Sequence, residues 1–417
     1  MPATPTPPPP ALRPYLTPAH EELWQAADAF TAEHITPRVN RMEAAPRKVE
    51  RRLVKLMARQ GWFGVTIPQE YGGRAAGHVA KTILIHRTTT ASPAAGAALQ
   101  ATLIPVGAVE RFGTPAQKRR YLPPVADGSG LLSIAATEPE AGGHLGGVEA
   151  VAERDGDDWV LTGSKIRIGN AHLAAAHVVI ARTAPAGVSA SQALTAFIVD
   201  NARRTVKVRR HRPQLGLYGF SLGRLDLHRV RVPADRVLGE VGQGLRVAQA
   251  SSVLYGRANL AALSLGIHER FVDLTARFLT TRRRYGATLA DLPVLRDRLG
   301  EMEARLRAAR ILAYHAVHLL DHRITCDGDL INAKHLGHEL AMATGRDAME
   351  LHGSRAFDLD YPLQQLWRDI QMTYTPAGTG EFQRIRLAQA ALGETPIEWS
   401  EQLAAEAAWT QPDPTPA

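Results

Sequence analysis

The spacing of apolar residues divides the chain into three stretches with different predicted secondary structure. Between about residues 17 and 128, apolar side chains recur every three or four positions, which is the spacing of one helix face. Between about residues 131 and 237 the pattern changes to short runs rich in β-branched residues, which predict strands. Helical spacing returns from about residue 244 to residue 392. The order is therefore helices, then a β region, then helices again.

Individual elements can be predicted inside these stretches. Strands are expected at residues 159–162, 177–181, 194–199 and 205–208. In residues 225–232 the alternation of apolar and polar positions slips by one residue, as a β-bulge would cause. Residues 297–322 keep the helical spacing without a break, which predicts a helix of about 39 Å. Such a helix is long enough for an extended bundle and for contacts between subunits.

Both ends of the chain are rich in proline, which removes backbone donors and favours extended or disordered chain. Residues 1–16 and 396–417 are therefore expected to be disordered tails. Between them we expect an N-terminal helical domain at residues 17–128, a middle β domain at residues 129–237 and a C-terminal helical domain at residues 238–395.

The net charge of +8 at pH 7 does not indicate a nucleic-acid partner. Basic residues are interleaved with acids along predicted helices, as in residues 297–315, and no basic platform with aromatic residues appears. A solvated helical surface explains the charge. The functional alternative is attraction to an anionic partner, such as a CoA phosphate or an acidic carrier protein.

The sequence contains little evidence on the cellular compartment or on metal binding. Cys326 is the single cysteine, so a disulfide framework is excluded and a reducing cytoplasm is expected. No apolar run approaches the roughly 18–20 residues of a membrane span. The N-terminus lacks the apolar core of a secretory signal. We expect a cytoplasmic protein with no membrane partner and no metal site.

Five segments together resemble the acyl-CoA dehydrogenase superfamily, in order and at matching intervals. They are Ile67-Pro-Gln-Glu-Tyr-Gly-Gly73, Thr137-Glu-Pro-Glu-Ala-Gly142, the exit of the β region at residues 232–244, Arg282-Arg-Arg-Tyr285-Gly286, and Arg368-Asp369 followed after seven residues by Ala377-Gly378-Thr379. The resemblance covers nearly all of the chain between the tails. It implies a mostly α fold with a small central β-barrel or sandwich and a C-terminal four-helix bundle, and it implies FAD as cofactor.

The resemblance also implies which residues contact FAD. Thr137 matches the position against the flavin edge, and Arg282 and Thr379 match positions near the pyrophosphate or ribityl chain. Arg282 would act across a subunit interface, since family members share FAD between protomers. The remaining implied cofactor positions are Arg167, Gly169, Tyr285, Glu350, Gly353 and Glu381.

Several of these positions depart from the family pattern. Arg167 stands where the family has a tryptophan beside the flavin, and could stack on the ring as a cation or pair with a substrate anion. Gly169 lacks the hydroxyl that the family directs at the flavin, and Glu350 replaces a glutamine at the adenine end. Glu381, two residues after Thr379, is usual in the family and opens the last helix.

The largest departure concerns the catalytic base. The family's glutamate, which takes the α-proton of the acyl thioester, is Ala377 here. Some relatives keep a base just before an arginine on another helix, and that position is Gly256. A positioned base is worth about 10²–10⁴ in rate. Weak replacement candidates are Tyr255, Tyr374 and His352, although such residues are more often packed than catalytic.

Three functions remain open at this level. The first is a repurposed FAD enzyme of secondary metabolism, acting on an acyl thioester carried by CoA or by an acyl or peptidyl carrier protein. The second is a non-catalytic subunit of a mixed oligomer. The third is a relative of flavin monooxygenases or oxidases, in which no carboxylate base is needed at Ala377. For the first function, a homodimer or homotetramer is expected from the long helix at residues 297–322 and from the position of Arg282.

Overall fold

The structure is a computed structural model that describes residues 7–185, 187–201, 205–394 and 399–405. Among the described residues, the N-terminal part contains six α-helices: α1 Pro18–Phe30, α2 Val39–Glu43, α3 Arg51–Arg59, α4 Gly77–Thr89, α5 Pro93–Phe112 and α6 Pro115–Ala126. Every residue of α4 is buried, because this helix packs against α1 and α5 and against helices of the C-terminal part.

The middle part forms one mixed sheet. Its elements are β1 Leu131–Ala135, β2 Val151–Asp155, β3 Asp158–Gly169, β4 Ala174–Arg182, the short helix α7 Ala190–Ala193, β5 Leu194–Asp200, β6 Val206–Val208, β7 Leu222–Pro233 and β8 Val237–Leu238. The strand order is β6-β7-β3-β2-β4-β5-β8, with β1 parallel to β4. All five predicted strands are present, and β3 is longer than predicted.

Two bulges interrupt the pairing of β3 with β7. On β7 the extra residue falls at His228 and Arg229, and Arg229 has a φ of 49°. This confirms the slip predicted from the sequence. On β3 the extra residue falls at Ile166 and Arg167, and Arg167 has a φ of 58°. The second bulge was not predicted, because neither residue breaks the apolar pattern.

The C-terminal part is helical apart from one hairpin, whose two strands have two residues each. Its elements are α8 Gly244–Ser251, α9 Ala258–Thr281, β9 Arg283–Arg284, β10 Ala287–Thr288, α10 Pro293–Asp321, α11 Asp327–His352, α12 Pro362–Gln371, α13 Gly380–Ala391 and α14 Trp399–Ala405. The long predicted helix is α10. α9, α10 and α11 pack on one another, and α9 and α10 also pack on α4. No helix of the described ranges is long and apolar enough to cross a membrane.

The prediction of disordered tails is wrong wherever the structure describes them. Pro10–Tyr15 forms a 3₁₀ helix, and Leu12 is fully buried against the helical core. At the other end α14 buries Trp399 and Leu403. Proline fixes φ in a range that a 3₁₀ turn accepts, so a proline-rich segment can be ordered once an apolar residue anchors it. The rest of the two predicted tails lies outside the described residues.

Candidate active site

The turn between α12 and α13 carries the position of the missing glutamate. Ala377 and Gly378 both have a left-handed backbone, with φ values of 55° and 94°. The buried Lys334 of α11 donates hydrogen bonds from Nζ to the carbonyl oxygens of Tyr374, at 2.6 Å, and of Gly378. Gln383 donates from Nε2 to the Ala377 carbonyl at 2.8 Å. Lys334 and Gln383 therefore fix the geometry of the turn, although the glutamate of the family is absent from it.

The second base position of the family lies directly opposite this turn. A methyl group built on Gly256 would be 3.3 Å from Ala377 Cβ, 3.7 Å from Ile104 Cδ1 and 3.7 Å from Ser252 Oγ. Gly256 belongs to a π-helical turn, Ser252–Arg257, between α8 and α9. Such turns inside helices occur frequently at functional sites. The two positions where relatives place a carboxylate therefore face each other, and neither carries one.

Lys334 is a site residue that the sequence reasoning missed. Burial lowers its pKa to about 8, with a further contribution from the charge of Arg257, which is also buried. A polar residue within an otherwise apolar helix face was the available signal, since Leu330, Ala333 and Ala341 of the same helix are all buried. The turn at Ala377 thus lies beside the cationic side chain of Lys334.

The loop after β1 is fixed by a buried ion pair. Thr137, which is half-buried, accepts a hydrogen bond on its carbonyl oxygen from the Ile166 amide at 2.9 Å. Its neighbour Glu138 lies 2.7 Å from Nζ of the fully buried Lys165 and also accepts from the amides of Glu149 and Ala150. Both partners of the pair therefore hold the loop against β3.

β3 carries two of the departures from the family pattern, Arg167 and Gly169. The Arg167 side chain is exposed and has no hydrogen bond or ion pair within the described ranges. At Gly169, a methyl group would lie 2.7 Å from Ala101 Cβ on α5. Asn170 is buried and donates to the Ala98 carbonyl at 2.7 Å and to the Thr102 hydroxyl at 2.8 Å. β3 and α5 therefore approach each other closely at Gly169, the position where the family has a residue with a hydroxyl group.

The hairpin after α9 stands clear of the rest of the chain. Arg282 through Gly286 are all exposed, and Tyr285 is 93% exposed with a φ of 51°. No hydrogen bond or ion pair joins the side chain of Arg282 or Tyr285 to another candidate site residue in the described ranges. Their exposure leaves both side chains free to contact another copy of the chain.

The residues expected at the adenine end also lie apart from the turn at Ala377. Glu350 is exposed and forms an ion pair with Arg298 at 2.6 Å. Gly353 ends α11 with a φ of 58°, and a methyl group there would meet nothing within 4 Å. His352 is buried, stacks on Phe278 at 4.2 Å between ring centroids and contacts the Tyr361 hydroxyl. His352 is a packed residue in this arrangement.

Tyr374 and Glu381 pair with each other. The Tyr374 hydroxyl donates to the Glu381 carboxylate at 2.6 Å, and this hydrogen bond lowers the pKa of Glu381 to about 2 and raises that of Tyr374. Glu381 lies in the first turn of α13, whose N-cap is Thr379. A carboxylate with so low a pKa is a poor proton acceptor near neutral pH.

Tyr255 is buried next to Gly256. Its ring occupies the space beside Gly107, where a methyl group would be 2.3 Å from the ring, and its hydroxyl bonds to Glu110. Burial raises the pKa of Glu110 to about 7. Tyr255 is thus a packed side chain with a hydrogen-bonded partner.

The comparisons with known proteins agree with this architecture. The models of the N-terminal, middle and C-terminal domains of acyl-CoA dehydrogenase match residues 17–129, 133–230 and 242–392. The chain therefore belongs to the acyl-CoA dehydrogenase family. Members of this family are FAD-binding flavoprotein oxidoreductases, and so is this protein.

Individual relatives span almost the whole chain. A 3-(aryl)acrylate reductase of Clostridium sporogenes is 30% identical over 379 residues, which is 91% of this chain and 100% of the relative. The structure of butyryl-CoA dehydrogenase from Megasphaera elsdenii superposes with a TM-score of 0.87 at 25% identity, over 90% of this chain and 99% of that one. The prolyl acyl carrier protein oxidase AnaB shares the fold, with a TM-score of 0.84 at 22% identity over 90% and 99% of the two chains.

The residues present fit FAD. The side chain of Thr379 does not cap α13, and it donates instead to the Glu381 carboxylate, which also accepts from its own amide. The other amides of the first turn of this twelve-residue helix are available to a phosphate or hydroxyl group. Beside Thr137, methyl groups on Gly142 and Gly143 would meet nothing within 4 Å, which leaves room for a ligand against the loop. The exposed Arg282 supplies a cation that a neighbouring copy could use.

Proposed function

We propose that the protein is an FAD-dependent enzyme of secondary metabolism that acts on an acyl thioester carried by CoA or by an acyl or peptidyl carrier protein. The observation that carries this proposal is the pairing of Ala377 with Gly256. The turn at Ala377 and the π-helical turn at Gly256 are both formed, but neither position carries a carboxylate. Its substrate therefore has an unusually acidic α-proton or is oxidised at a heteroatom, because a weaker base then suffices.

In this mechanism Thr137 would contact the edge of FAD, while Thr379 and amides at the start of α13 would hold its ribityl or phosphate groups. Arg282 of a neighbouring copy would bind the pyrophosphate. Bound FAD supplies a two-electron acceptor. Lys334 fixes the carbonyl groups of the turn, so the acyl group binds beside Ala377 and Gly256 against a turn of defined geometry.

The proposed role of Arg282 across a subunit interface implies a homodimer or homotetramer, and its exposure allows it to contact a neighbouring copy. A reducing cytoplasm suits the single, buried Cys326. A carrier-protein thioester is compatible with the fold, since AnaB has this architecture.

The alternative function is a non-catalytic partner of a mixed oligomer, and it also draws on the missing carboxylates at Ala377 and Gly256. A third function, oxygen chemistry at reduced flavin, requires no base at Ala377. The two enzymatic functions require bound FAD, whereas a purely structural subunit does not.

The visible spectrum of the purified protein separates these functions. We expect a yellow protein whose spectrum does not bleach when simple saturated acyl-CoAs are added under anaerobic conditions. Mass spectrometry of carrier-bound and CoA-bound thioesters after incubation then identifies the substrate class. A colourless protein that takes up no FAD would favour the partner subunit. Bleaching by butyryl-CoA at typical enzyme rates of about 1–10³ s⁻¹ would contradict the non-standard chemistry.

A further inference from the structure

Two residues of α5 are accessible to solvent in the middle of an otherwise buried helix. Residues 93–109 are buried except Gln100 and Ile104, which are half-buried and lie four positions apart, on one helix face. This face is turned toward the π-helical turn and the start of α9. Ile104 Cδ1 would lie 3.7 Å from a methyl group on Gly256, and the Gln100 carbonyl oxygen accepts from Asn259 Nδ2 at 3.2 Å. Solvent therefore reaches a cleft between α5 and this second helical segment.

Close contacts limit the cleft at both ends along α5. A methyl group on Gly107 would lie 2.3 Å from the Tyr255 ring, and one on Gly96 would lie 3.1 Å from Leu263 Cδ1. Gly96 and Gly107 are eleven residues apart, which is about 16 Å along a helix. The cleft between these contacts is lined by Gln100, Ile104, Gly256, Asn259 and the half-buried Ala377.

Asn259 and Gln100 each bring an unpaired acceptor to the cleft. Asn259 is fully buried, and its Nδ2 faces the Gln100 carbonyl oxygen, which fixes the orientation of the amide because that oxygen can only accept. The Oδ1 atom of Asn259 has no hydrogen-bond partner within the described ranges. Gln100 Oε1 is buried and has no partner among those residues either. Buried acceptors without a donor are destabilising, so both atoms require a donor from outside the chain.

The charges beside the cleft favour a neutral donor. The two acceptors are uncharged amides, whereas Lys334 is hydrogen-bonded to carbonyl groups of the turn that carries Ala377. Arg257, next to Gly256, is a second buried cation. A substrate ammonium group would be repelled by these two side chains. A hydroxyl group or an uncharged N–H group meets no such repulsion.

We propose that this cleft selects an acyl group that carries a neutral hydroxyl or N–H group, which donates to Gln100 and Asn259. The inference rests on the proposed function, because it concerns the acyl part of the thioester substrate. Asn259 follows Gly256 by three residues, so the donor lies about 4–5 Å beyond the carbon atom beside Gly256. A saturated alkyl chain leaves both acceptors unpaired, and a site built to hydrogen-bond a substrate discriminates against an analogue that lacks the group.

The test compares the binding of two pantetheine thioesters, 5-hydroxypentanoyl and hexanoyl, whose chains differ only by a hydroxyl in place of the terminal methyl group. Pantetheine is the arm that CoA and carrier proteins share, so the comparison holds for both carriers. Isothermal titration of the FAD-loaded protein under anaerobic conditions measures the two dissociation constants. We expect the hydroxylated thioester to bind about 10-fold more tightly, because it pairs both acceptors.

The variants Asn259→Leu and Gln100→Leu remove one acceptor each, and the ratio of the two dissociation constants should fall toward 1 in both. The ratio is the readout because general damage to the site weakens both thioesters alike. Gln100→Leu keeps the test decisive if Asn259→Leu does not fold, since the Gln100 side chain is half-buried and forms no hydrogen bond within the described ranges. Asn40→Leu, at an exposed position on α2, is the matched control and should keep the wild-type ratio.

A wild-type ratio near 1 would overturn the proposal, and it is the result expected if buried water satisfies the two acceptors. Binding of neither thioester at millimolar concentration, or a ratio that is unchanged in both leucine variants, would also overturn it. Failure of the proposed function is seen separately in the visible spectrum of the same samples. A protein without FAD, or flavin bleached by the hexanoyl thioester at ordinary enzyme rates, contradicts that function whatever the ratio is.

Discussion

Gly256 and Ala377 approach each other so closely that a methyl group on Gly256 would lie 3.3 Å from Ala377 Cβ. One residue belongs to the π-helical turn before α9 and the other to the left-handed turn before α13. The two family positions for a base are therefore neighbours in space. In the proposed function, a carboxylate restored at either position would reach the same acyl group.

The first prediction is that Ala377→Glu confers α,β-dehydrogenation of simple saturated acyl-CoAs. The turn is held by Lys334 and Gln383, so a new side chain at residue 377 starts from a fixed backbone. We expect flavin bleaching by butyryl-CoA to accelerate by about 10²–10⁴ over the wild type, the usual contribution of a general base. Stopped-flow absorbance under anaerobic conditions measures this rate.

The matched control is Ala377→Gln, which has nearly the same shape and accepts no proton. If the glutamine variant bleaches as fast as the glutamate variant, the gain comes from packing rather than from proton abstraction. The left-handed φ of 55° applies equally to both replacements, so backbone strain does not distinguish them.

The second prediction concerns the contact between Gly169 and Ala101. A methyl group on Gly169 would lie 2.7 Å from Ala101 Cβ, closer than carbon atoms pack. Gly169→Ser should therefore lower the free energy of unfolding by about 1–3 kcal/mol, as overpacking usually does. Urea denaturation of the two proteins measures the difference.

A double-mutant cycle identifies the cause. Ala101→Gly alone removes a methyl group from α5 and costs about 1 kcal/mol through helix propensity. In that background, Gly169→Ser should cost at least about 0.5 kcal/mol less than it does alone. Equal costs in the two backgrounds would show that the serine is disfavoured for a reason other than Ala101.

The fold could be predicted because apolar residues recur every three or four positions in the two helical domains, whereas the middle domain has short runs rich in β-branched residues. The bulge at Arg229 was visible as a phase slip, since apolar residues flank it on both sides. The bulge at Arg167 was not visible, because neither Ile166 nor Arg167 breaks the apolar pattern. The meeting of Gly256 with Ala377 depends on how two helices pack, which local patterns do not specify.

The third prediction is a pH dependence of stability that arises from Asp369. Its carboxylate is buried, accepts the Leu217 amide at 2.5 Å and has one oxygen without a partner in the described ranges. Burial raises its pKa to about 7. The folded state thus keeps a proton that the unfolded state releases near pH 4, so the contribution is complete below about pH 4 and is lost as pH rises to about 7.

Asp369→Asn removes this titration while keeping a side-chain oxygen for the Leu217 amide. The variant should lose a slope of at most about 1.4 kcal/mol per pH unit between roughly pH 4 and 7, measured by denaturant unfolding at several pH values. Asp157→Asn, at an exposed position, serves as the control and should leave the profile unchanged. A wild-type slope retained in Asp369→Asn would assign the dependence to another group.

The last prediction is that Tyr285 lies in a subunit interface. A side chain that is 93% exposed with a left-handed φ of 51° is unusual in an isolated chain, and it stands on the hairpin that also carries Arg282. We expect a homodimer or homotetramer, and Tyr285→Ser should raise the dissociation constant about 10–30-fold and lower FAD retention, since buried aromatic anchors contribute about 2 kcal/mol. Light scattering over a concentration series measures the mass, with Val188→Ser as an exposed apolar control on the β domain. A wild-type particle of 45.2 kDa at micromolar concentration with FAD present would contradict both the interface and the role of Arg282.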